Sequence, residues 1–153
     1  MSIEAPVSRF RKNNLKIYIA VCIVATLWLG YDGYFNKKFR EGHTGADGKA
    51  DSTLAFNQKA PLFFVGAAVL FGAYLGMIRN KKLVADENEL VIDGKKKIAY
   101  GSIEKIDKTH FSSKGHFIIT YKDEGGSEAN WKAGNKDYDN LAAILDQLVA
   151  KIS

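Results

Sequence analysis

The sequence predicts a membrane α-helical hairpin of two transmembrane helices, followed by a small α+β domain. That domain is expected to be an antiparallel curved sheet or partial barrel with one C-terminal helix. Three patterns support this: two long uncharged runs in the first half, apolar alternation with the strand period of two in the second half, and a final segment with apolar residues three and four apart. A chain of 153 residues has room for a small domain and an anchor.

The charges divide the chain in the same way. Residues 1–82 contain twelve Lys or Arg and five Asp or Glu, whereas residues 83–153 contain ten and twelve. A basic half that also holds the apolar runs favours a membrane as partner, and no nucleic acid is expected because the second half offers no basic face to phosphates. The single cysteine, Cys22, lies in an apolar run, which excludes a disulfide framework.

The first transmembrane helix is predicted over residues 15–35, after a cytoplasmic tail at residues 1–14. Its core, residues 17–31, has no formal charge, and aromatic residues from Trp28 to Phe35 collect at one end, as at a membrane interface. A cleaved signal peptide is the alternative, because basic residues precede the run. No small-x-small cleavage site follows it, so that an uncleaved anchor is preferred.

The second transmembrane helix is predicted over residues 61–79, after a polar loop at residues 36–60 in which His43 is expected to be solvated. Residues 61–78 are eighteen consecutive residues without a charge, and a bilayer core needs roughly 17–25 helical residues. Pro61 suits a helix start, where a missing N–H does least harm. The rest of the chain offers too little apolar material to surround two such helices in a soluble core.

Basic residues beside the spans predict the orientation. Seven Lys or Arg flank the outer ends of the two uncharged runs and five lie in the connecting loop. This modest excess places the N-terminal tail and the C-terminal domain, residues 80–153, in the cytoplasm, with the protein as a multi-pass component of the cell (inner) membrane.

Small residues recur at every fourth position in both spans and predict close helix packing. They are Cys22, Thr26 and Gly30 in the first span, and Ala68, Gly72 and Gly76 in the second. We favour packing of the two helices on each other within one hairpin. The alternative is contact with helices of a membrane-protein partner or a second copy, since Gly72-x-x-x-Gly76 has the spacing of helix dimers.

The C-terminal domain is predicted to contain five or six antiparallel strands and one helix. Strands are expected on both sides of a turn at Asp86-Glu87-Asn88, from Lys96 to Tyr100 after an Asp93-Gly94 turn, in GSIEKID with Ile103 and Ile106 inward, in HFIITYKD after a turn at residues 112–115, and in EANWKA with Trp131 inward. The helix, which Asp137 or Asp139 can cap, has an apolar stripe formed by Tyr138, Leu141, Ile144, Leu145, Leu148 and Ile152.

The pattern ELVIDGKKKIAYGSIEKID, with its step of Tyr100, Ile103 and Ile106, and the closing helix resemble a bacterial pleckstrin-homology-like (PH-like) domain over about residues 83–153. The resemblance implies a binding or scaffolding module, often attached to membrane helices, and no reaction. This stretch is short for the seven strands of that family, which indicates a missing strand or an incomplete barrel.

Chemical motifs are few. Lys95, Lys96 and Lys97 follow a turn and could hold an anionic lipid headgroup, although lysines also commonly guard an exposed strand edge, which we favour. His110 and His116 flank a turn but lack a third metal ligand. The sequence has no nucleophile elbow, phosphate loop, zincin motif or carboxylate pair, so that we expect no enzyme and no catalytic, metal or cofactor-binding residue.

These patterns predict a non-catalytic, membrane-anchored PH-like interaction or assembly module. The alternative is a small accessory subunit of a larger membrane complex, such as an energy-transducing or transport assembly. A more distant alternative is an anionic-lipid sensor that uses Lys95, Lys96 and Lys97.

Overall fold

The computed structural model describes all residues from Met1 to Ser153. The chain forms two compact units. The hairpin unit comprises residues 13–76, and the sheet unit comprises residues 1–12 together with residues 77–153.

Two long helices dominate the hairpin unit. Helix α1 spans Arg9–Gly30 and continues as a π-helical turn over Tyr31–Phe35, and helix α3 spans Ser52–Ile78. Both are long and apolar enough to cross a membrane. In the most apolar part of each helix few residues are buried, 11% in the first helix and 6% in the second. Most of the apolar side chains of both helices are therefore exposed.

Helix α3 begins well before the predicted start at Pro61. Asp51 precedes the helix, and its Oδ1 accepts a hydrogen bond of 2.8 Å from the Leu54 N–H. That bond, and then a bond to His43, lower the pKa of the Asp51 carboxyl. Pro61 therefore lies inside the helix, where it removes one main-chain hydrogen bond without ending the helix.

The predicted polar loop contains ordered structure. Helix α2 spans Lys37–Gly42, and the Asn36 side chain caps it by accepting from the Phe39 N–H. His43 Nδ1 lies 2.8 Å from Asp51 Oδ2, so that this histidine has a carboxylate partner in addition to solvent. The contact between His43 and Asp51 holds the two ends of this loop together before α3 starts.

The sheet unit contains seven strands in two antiparallel sheets. The first sheet has the order β1-β2-β3-β4 and the second has the order β5-β6-β7. The strands are β1 (Ile3–Pro6), β2 (Lys82–Ala85), β3 (Glu89–Ile92), β4 (Lys96–Ala99), β5 (Ile103–Asp107), β6 (His116–Lys122) and β7 (Glu128–Gly134). The turns expected between β2 and β3 and between β3 and β4 are confirmed by these pairings, and β6 also pairs with β7.

The N-terminal segment differs from the tail that the sequence predicts. Residues 3–6 pair with β2, with Pro6 opposite Lys82 and Ile3 opposite Ala85. Ala5 is fully buried and Val7 nearly so, which explains why this short segment stays on the sheet. The sheet unit thus has a seventh strand, β1, which precedes the hairpin in the sequence, whereas the other strands follow it.

Strand β5 has an irregular register, which the predicted inward positions of Ile103 and Ile106 require. Ile103 and Ile106 are three residues apart, whereas a regular strand places every second residue on one face. The register with β6 shifts between Ile103 and Lys105, which is a β-bulge. Ile103 is consequently buried and Ile106, opposite the buried Ile119, is half-buried.

Two helices complete the sheet unit. Helix α4 is a single turn, Phe111–Lys114, which ends at Gly115 with a φ of 67°, where the sequence predicts a turn. Helix α5 spans Leu141–Ile152 and packs on β1, β2 and the 3₁₀ turn at Tyr100–Ser102. Its predicted stripe is buried from Tyr138 to Leu148, and Ile152 is half-buried.

The side chains predicted to cap α5 have another role. Asn140 precedes the helix at a φ of 58° and makes no side-chain cap. Asp139 Oδ2 instead accepts from the Arg9 N–H at 3.1 Å, and Asp137 Oδ1 lies 3.3 Å from Arg11 Nη1. Both carboxylates therefore bond to residues at the start of α1. The sequence could not indicate these bonds because more than 125 residues separate the partners.

Candidate functional site

Both chain connections to the hairpin unit lie at one end of the four-stranded sheet. β1 ends at Pro6, opposite Lys82 at the start of β2. The next pairs along this end, Leu83 with Ile92 and Ile92 with Lys96, place the β3–β4 turn there too. This arrangement brings together three basic segments that are distant in the sequence.

We call this the basic end of the sheet unit. It is formed by Arg9, Arg11, Lys12, Arg79, Lys81, Lys82, Lys95 and Lys96. The whole unit contains sixteen Lys or Arg and thirteen Asp or Glu, a net charge of +3, whereas residues 83–153 alone carry −2. The addition of the N-terminal segment and residues 77–82 therefore reverses the sign of the charge that the sequence assigns to this domain.

Hydrogen bonds of Ser8 hold the start of α1 at the basic end of the sheet unit. Ser8 is fully buried, and its Oγ accepts from the Arg11 N–H at 3.1 Å and donates to the Lys136 carbonyl. The Ser8 N–H donates to the Asp137 carbonyl at 2.9 Å. Ser8 is thus the N-cap of α1 and also joins that helix to the segment before α5.

The β3–β4 turn is held by a buried tyrosine. Asp93 and Gly94 both have positive φ, at 53° and 70°, as a type I′ turn requires. The Tyr138 hydroxyl donates to Asp93 Oδ1 at 3.0 Å. Burial, and then the negative charge of Asp93, raise the pKa of Tyr138 above its usual range.

The three predicted headgroup lysines do not converge on one point. Lys97 Nζ lies 2.7 Å from Glu89 Oε1, and this hydrogen bond and charge raise the pKa of Lys97. Lys96 Nζ lies 5.0 Å from the centre of the Tyr121 ring, in a cation–π contact. Lys95 is exposed on the turn. Each ammonium therefore has a different environment.

An open groove of about 1000 Å³ runs along these lysines. One side is formed by β4 with Lys95, Lys96 and Lys97, and the other by the β6–β7 turn at residues 123–125. Ala99, Ser102, Tyr121 and Ala129 also line it, so that small side chains leave room beside a tyrosine ring. We call it the β4 groove.

His110 and His116 face each other with ring centres 5.7 Å apart. No group of three or more His, Cys, Asp or Glu side chains in the chain is arranged to hold a metal ion. Trp131, expected inward, is half-buried, while its neighbour Ala133 is fully buried.

In the hairpin unit, the predicted packing residues have different positions. Cys22 is buried, the Thr26 hydroxyl donates to the Cys22 carbonyl at 2.8 Å, and Thr26 and Ala68 line the same small apolar groove. A Cβ at Gly30 would lie 3.8 Å from the Pro61 ring. By contrast, a Cβ at Gly72 or Gly76 would meet nothing within 4 Å.

Sequence reasoning missed one close contact between the two helical segments. A Cβ at Gly33 would lie 2.7 Å from the Asn57 carbonyl oxygen. Next to it, the Tyr34 hydroxyl donates to the Gln58 carbonyl at 2.8 Å and Gln58 Nε2 donates to the Gly33 carbonyl at 3.2 Å. The available signal was the spacing of Gly33, which continues the line of Thr26 and Gly30 by one further step of three residues.

Comparison with known proteins returns nothing. No family model, no curated protein and no solved structure matches this chain. Functional inference for this protein therefore rests on the geometry above.

Proposed function

We propose that this protein is a non-catalytic interaction module anchored in a membrane by α1 and α3. The observation that carries the proposal is the contrast between the two units. The sheet unit buries its own apolar core, including Leu83, Leu90, Ile98 and Phe117, whereas the long helices leave their apolar side chains exposed. A lipid environment would remove that exposed surface from water.

The pairing of β1 with β2 supports this anchor. The two strands flank the hairpin in sequence, so that residues 3–6 and 82–85 must lie on the same side of any membrane that the hairpin crosses. Two spans satisfy this requirement and one span does not. The excess of basic residues on that side favours the cytoplasm for both.

The arrangement of strands supports a PH-like fold for the sheet unit. Sheets of four and three antiparallel strands, followed by one C-terminal helix, fit the resemblance in residues 83–153. The seventh strand is supplied by residues 3–6, so that the shortness of the C-terminal stretch is no longer an objection. In this interpretation the membrane hairpin is an insertion between the first and second strands of the domain.

Labelling of single cysteines tests the anchor and its orientation. In a Cys22→Ser background, Ala46→Cys lies in the loop of the hairpin and Ser153→Cys at the C-terminus. A membrane-impermeant maleimide applied to intact cells should label position 46 and leave position 153 unlabelled until the cells are opened. Equal labelling of both positions, or release of the protein by alkaline carbonate, would overturn the proposal.

The same membranes distinguish a free module from an accessory subunit. The exposed face of α3 with Gly72 and Gly76 is available to helices of another subunit. Native mass spectrometry after mild detergent extraction should reveal a fixed stoichiometry with membrane partners if the protein is an accessory subunit. Detection of only a monomer or a dimer would favour a free module, in which the sheet unit makes the contacts with partners.

The basic end favours a second candidate function, contact with anionic lipid. Two of its eight cations, Arg11 and Lys82, form ion pairs with Asp137 and Glu4. The others lie in the segments beside the two chain connections to the hairpin and in the β3–β4 turn, and each lysine or arginine close to an anionic bilayer contributes about 1 kcal/mol to attraction. Reconstitution in nanodiscs with and without phosphatidylserine tests this. Protection of the β3–β4 turn from hydrogen exchange only in the anionic discs would support it, and identical exchange in both would refute it.

A further inference from the structure

The outer edge of β7 is open. β7 is the last strand of the three-stranded sheet, and β6 is the strand that pairs with it. At the two ends of this pair, the Asp123 N–H donates to the Ser127 carbonyl at 2.9 Å, and the Asn135 N–H donates to the Gly115 carbonyl at 2.8 Å. Hydrogen-bonded positions alternate along an antiparallel pair, so that the odd-numbered residues of β7 bond to β6.

The even-numbered residues of β7 therefore direct their main-chain N–H and C=O groups to the open edge. Glu128, Asn130 and Lys132 use none of these groups in a hydrogen bond within the chain. At the end of the strand, the Gly134 carbonyl accepts from the Asp137 N–H at 2.8 Å. Residues 128–132 thus present an unused ladder to which another strand can bond.

The other sheet edges have features that hinder the addition of a strand. β1 contains Pro6, β4 contains Lys96 and Lys97, and β5 contains the bulge after Ile103. β7 has seven residues, more than any of these three strands, and contains neither a proline nor a shift in register. It is therefore the edge that is best suited to pair with another strand.

The charges on this edge are complementary to those of a second copy. Glu128 and Lys132 lie symmetrically about Asn130, and the three residues are exposed and share one face of the sheet. Neither Glu128 nor Lys132 forms an ion pair within the protein, and Lys122, which lies opposite Glu128 on β6, is paired with Glu104 at 3.2 Å. Two antiparallel copies related by an axis at Asn130 would place each Glu128 opposite Lys132 of the other copy.

The opposite face of β7 favours the same register. Trp131 and Ala129 lie on that face, and both are half-buried. With the axis at Asn130, each Trp131 lies opposite Ala129 of the other copy, so that a large side chain meets a small one. An axis at Trp131 would also align the outward main-chain groups, but it would place the two indole rings opposite each other and Glu128 opposite Gly134, with no ion pair formed.

We propose that the protein forms a two-fold symmetric dimer in which β7 of one copy pairs antiparallel with β7 of the other, centred on Asn130. The main chains of Glu128, Asn130 and Lys132 form the new ladder, which joins the two three-stranded sheets into one. Because each copy uses its β7 edge for the other, the assembly closes at two copies. This inference goes beyond the proposed function, since it assigns the sheet unit a partner.

Reversal of single charges tests the pairing in the full-length protein. Glu128→Lys places lysine opposite lysine, and Lys132→Glu places glutamate opposite glutamate. Each variant alone should therefore dimerise at least about tenfold more weakly than wild type. Sedimentation equilibrium in an uncharged detergent measures the dissociation constant. Lys105→Glu, an exposed charge reversal on β5, is the matched control and should dimerise as wild type does.

A mixture of the two variants is the decisive sample. A chain with Glu128→Lys and a chain with Lys132→Glu form two ion pairs with each other, although neither forms an ion pair with itself. Co-purification through a tag on one chain should therefore recover a heterodimer about as stable as the wild-type dimer. This recovery also shows that both variants are folded.

Cross-linking tests the register in native membranes. In a Cys22→Ser background, Asn130→Cys places two thiols at the axis, where hydrogen-bonded antiparallel partners have Cα atoms about 5.5 Å apart. That separation is within the range of a disulfide. Mild oxidation should cross-link Asn130→Cys efficiently. Lys105→Cys, on the same face but two strands away, should remain largely monomeric.

Each experiment has an outcome that would overturn the β7 dimer. Wild-type protein that stays monomeric up to about 100 µM would do so, as would a single charge variant that dimerises as tightly as wild type. A mixture that fails to form the heterodimer, or equal cross-linking at positions 130 and 105, would have the same meaning. A dimer that is retained by both charge variants and lost in Gly72→Leu would instead be formed by the hairpin helices.

Discussion

In the hairpin unit, Gly33 in the π-helical turn that follows α1 lies against the main-chain carbonyl of Asn57 in α3. A Cβ at Gly33 would lie 2.7 Å from that oxygen and 2.8 Å from its carbon. Pro61 follows Asn57 by four residues and has no N–H, so that this carbonyl does not receive the usual helical hydrogen bond. The missing side chain of Gly33 allows one helix to approach the opened turn of the other.

Gly33→Ala should therefore loosen the hairpin. The added methyl group meets main-chain atoms, which cannot rotate away, and we expect a loss of about 1–3 kcal/mol in the free energy of unfolding. Thermal unfolding in detergent, followed by the fluorescence of Trp28 in a Trp131→Phe background, measures it. Gly72→Ala is the matched control, because its Cβ meets nothing and alanine favours a helix by up to about 1 kcal/mol. Equal stability of the Gly33→Ala and wild-type proteins would contradict this account.

The seventh strand gives a second prediction. Ala5 is fully buried between β2 and the core, and Ala5→Asp would place an unpaired carboxylate there. We expect β1 to detach at a cost of about 3 kcal/mol or more, with faster amide exchange at Leu83 and Ala85 in β2. Hydrogen-exchange mass spectrometry of the full-length protein provides the measurement.

Glu4→Gln is the neighbouring control for that experiment. Glu4 is exposed and forms an ion pair with Lys82 at the surface. Removal of this pair should change the free energy of unfolding by less than about 1 kcal/mol. If Ala5→Asp leaves exchange in β2 as slow as Glu4→Gln does, then β1 is not part of the sheet in solution.

The start of α1 gives a third prediction. Ser8 caps the Arg11 N–H and Asp139 accepts from the Arg9 N–H. Ser8→Ala should lower the free energy of unfolding of the sheet unit by about 1–2 kcal/mol, because a buried cap and its bond to the Lys136 carbonyl are lost together. Urea titration measures the loss. Ser113→Ala, an exposed serine in α4, should change it by less than about 0.5 kcal/mol, and an equal effect of both substitutions would refute the cap.

Local patterns made most of the sheet unit predictable. The turns at Asp86-Glu87-Asn88 and Asp93-Gly94 join strands that are adjacent in sequence, and side-chain alternation fixes which face is buried. The stripe from Tyr138 to Leu148 is likewise a property of one helix and could be read without the rest of the fold.

Most of the missed features depend on contacts between distant residues. β1 is a four-residue strand whose partner lies beyond the whole hairpin, so that its sequence alone has no more strand character than a polar tail. Asp139 has an ordinary cap position before α5, but the turn at Asn140 directs it to Arg9. The importance of Gly33 depends on the place where α3 crosses it, and Pro61 became a helix-interior residue because Asp51 starts α3 earlier.

The same logic applies to the charge of the sheet unit. The β4 lysines looked like isolated edge residues in a net negative stretch, because the basic residues at 9–12 and 79–82 belong to that end only after β1 pairs with β2. The β4 groove could not be predicted at all, since it needs the distance between two sheets. Sequence reasoning identified the residues of the groove without the space between them.

Tyr138 gives the last prediction, the behaviour of the sheet unit in alkali. Burial and the charge of Asp93 raise the pKa of Tyr138 in the folded protein, whereas in the unfolded chain it is about 10. Above about pH 10 the unfolded state therefore releases a proton that the folded state retains, and the free energy of unfolding must fall as the pH rises. Below that pH Tyr138 is protonated in both states, so that it does not make the free energy of unfolding depend on pH.

Tyr138→Phe should make the stability curve flatter above about pH 10, because phenylalanine has no proton to release. Urea titrations of both proteins between about pH 8 and pH 11 measure the difference in slope, and Lys97, whose pKa is also raised, is common to both and cancels. Tyr100→Phe should flatten the curve in the same direction, since burial, and then Asp86 and Glu89, raise the pKa of Tyr100. A wild-type slope in the Tyr138→Phe protein would mean that Tyr138 is exposed to water and that its bond to Asp93 does not hold the β3–β4 turn.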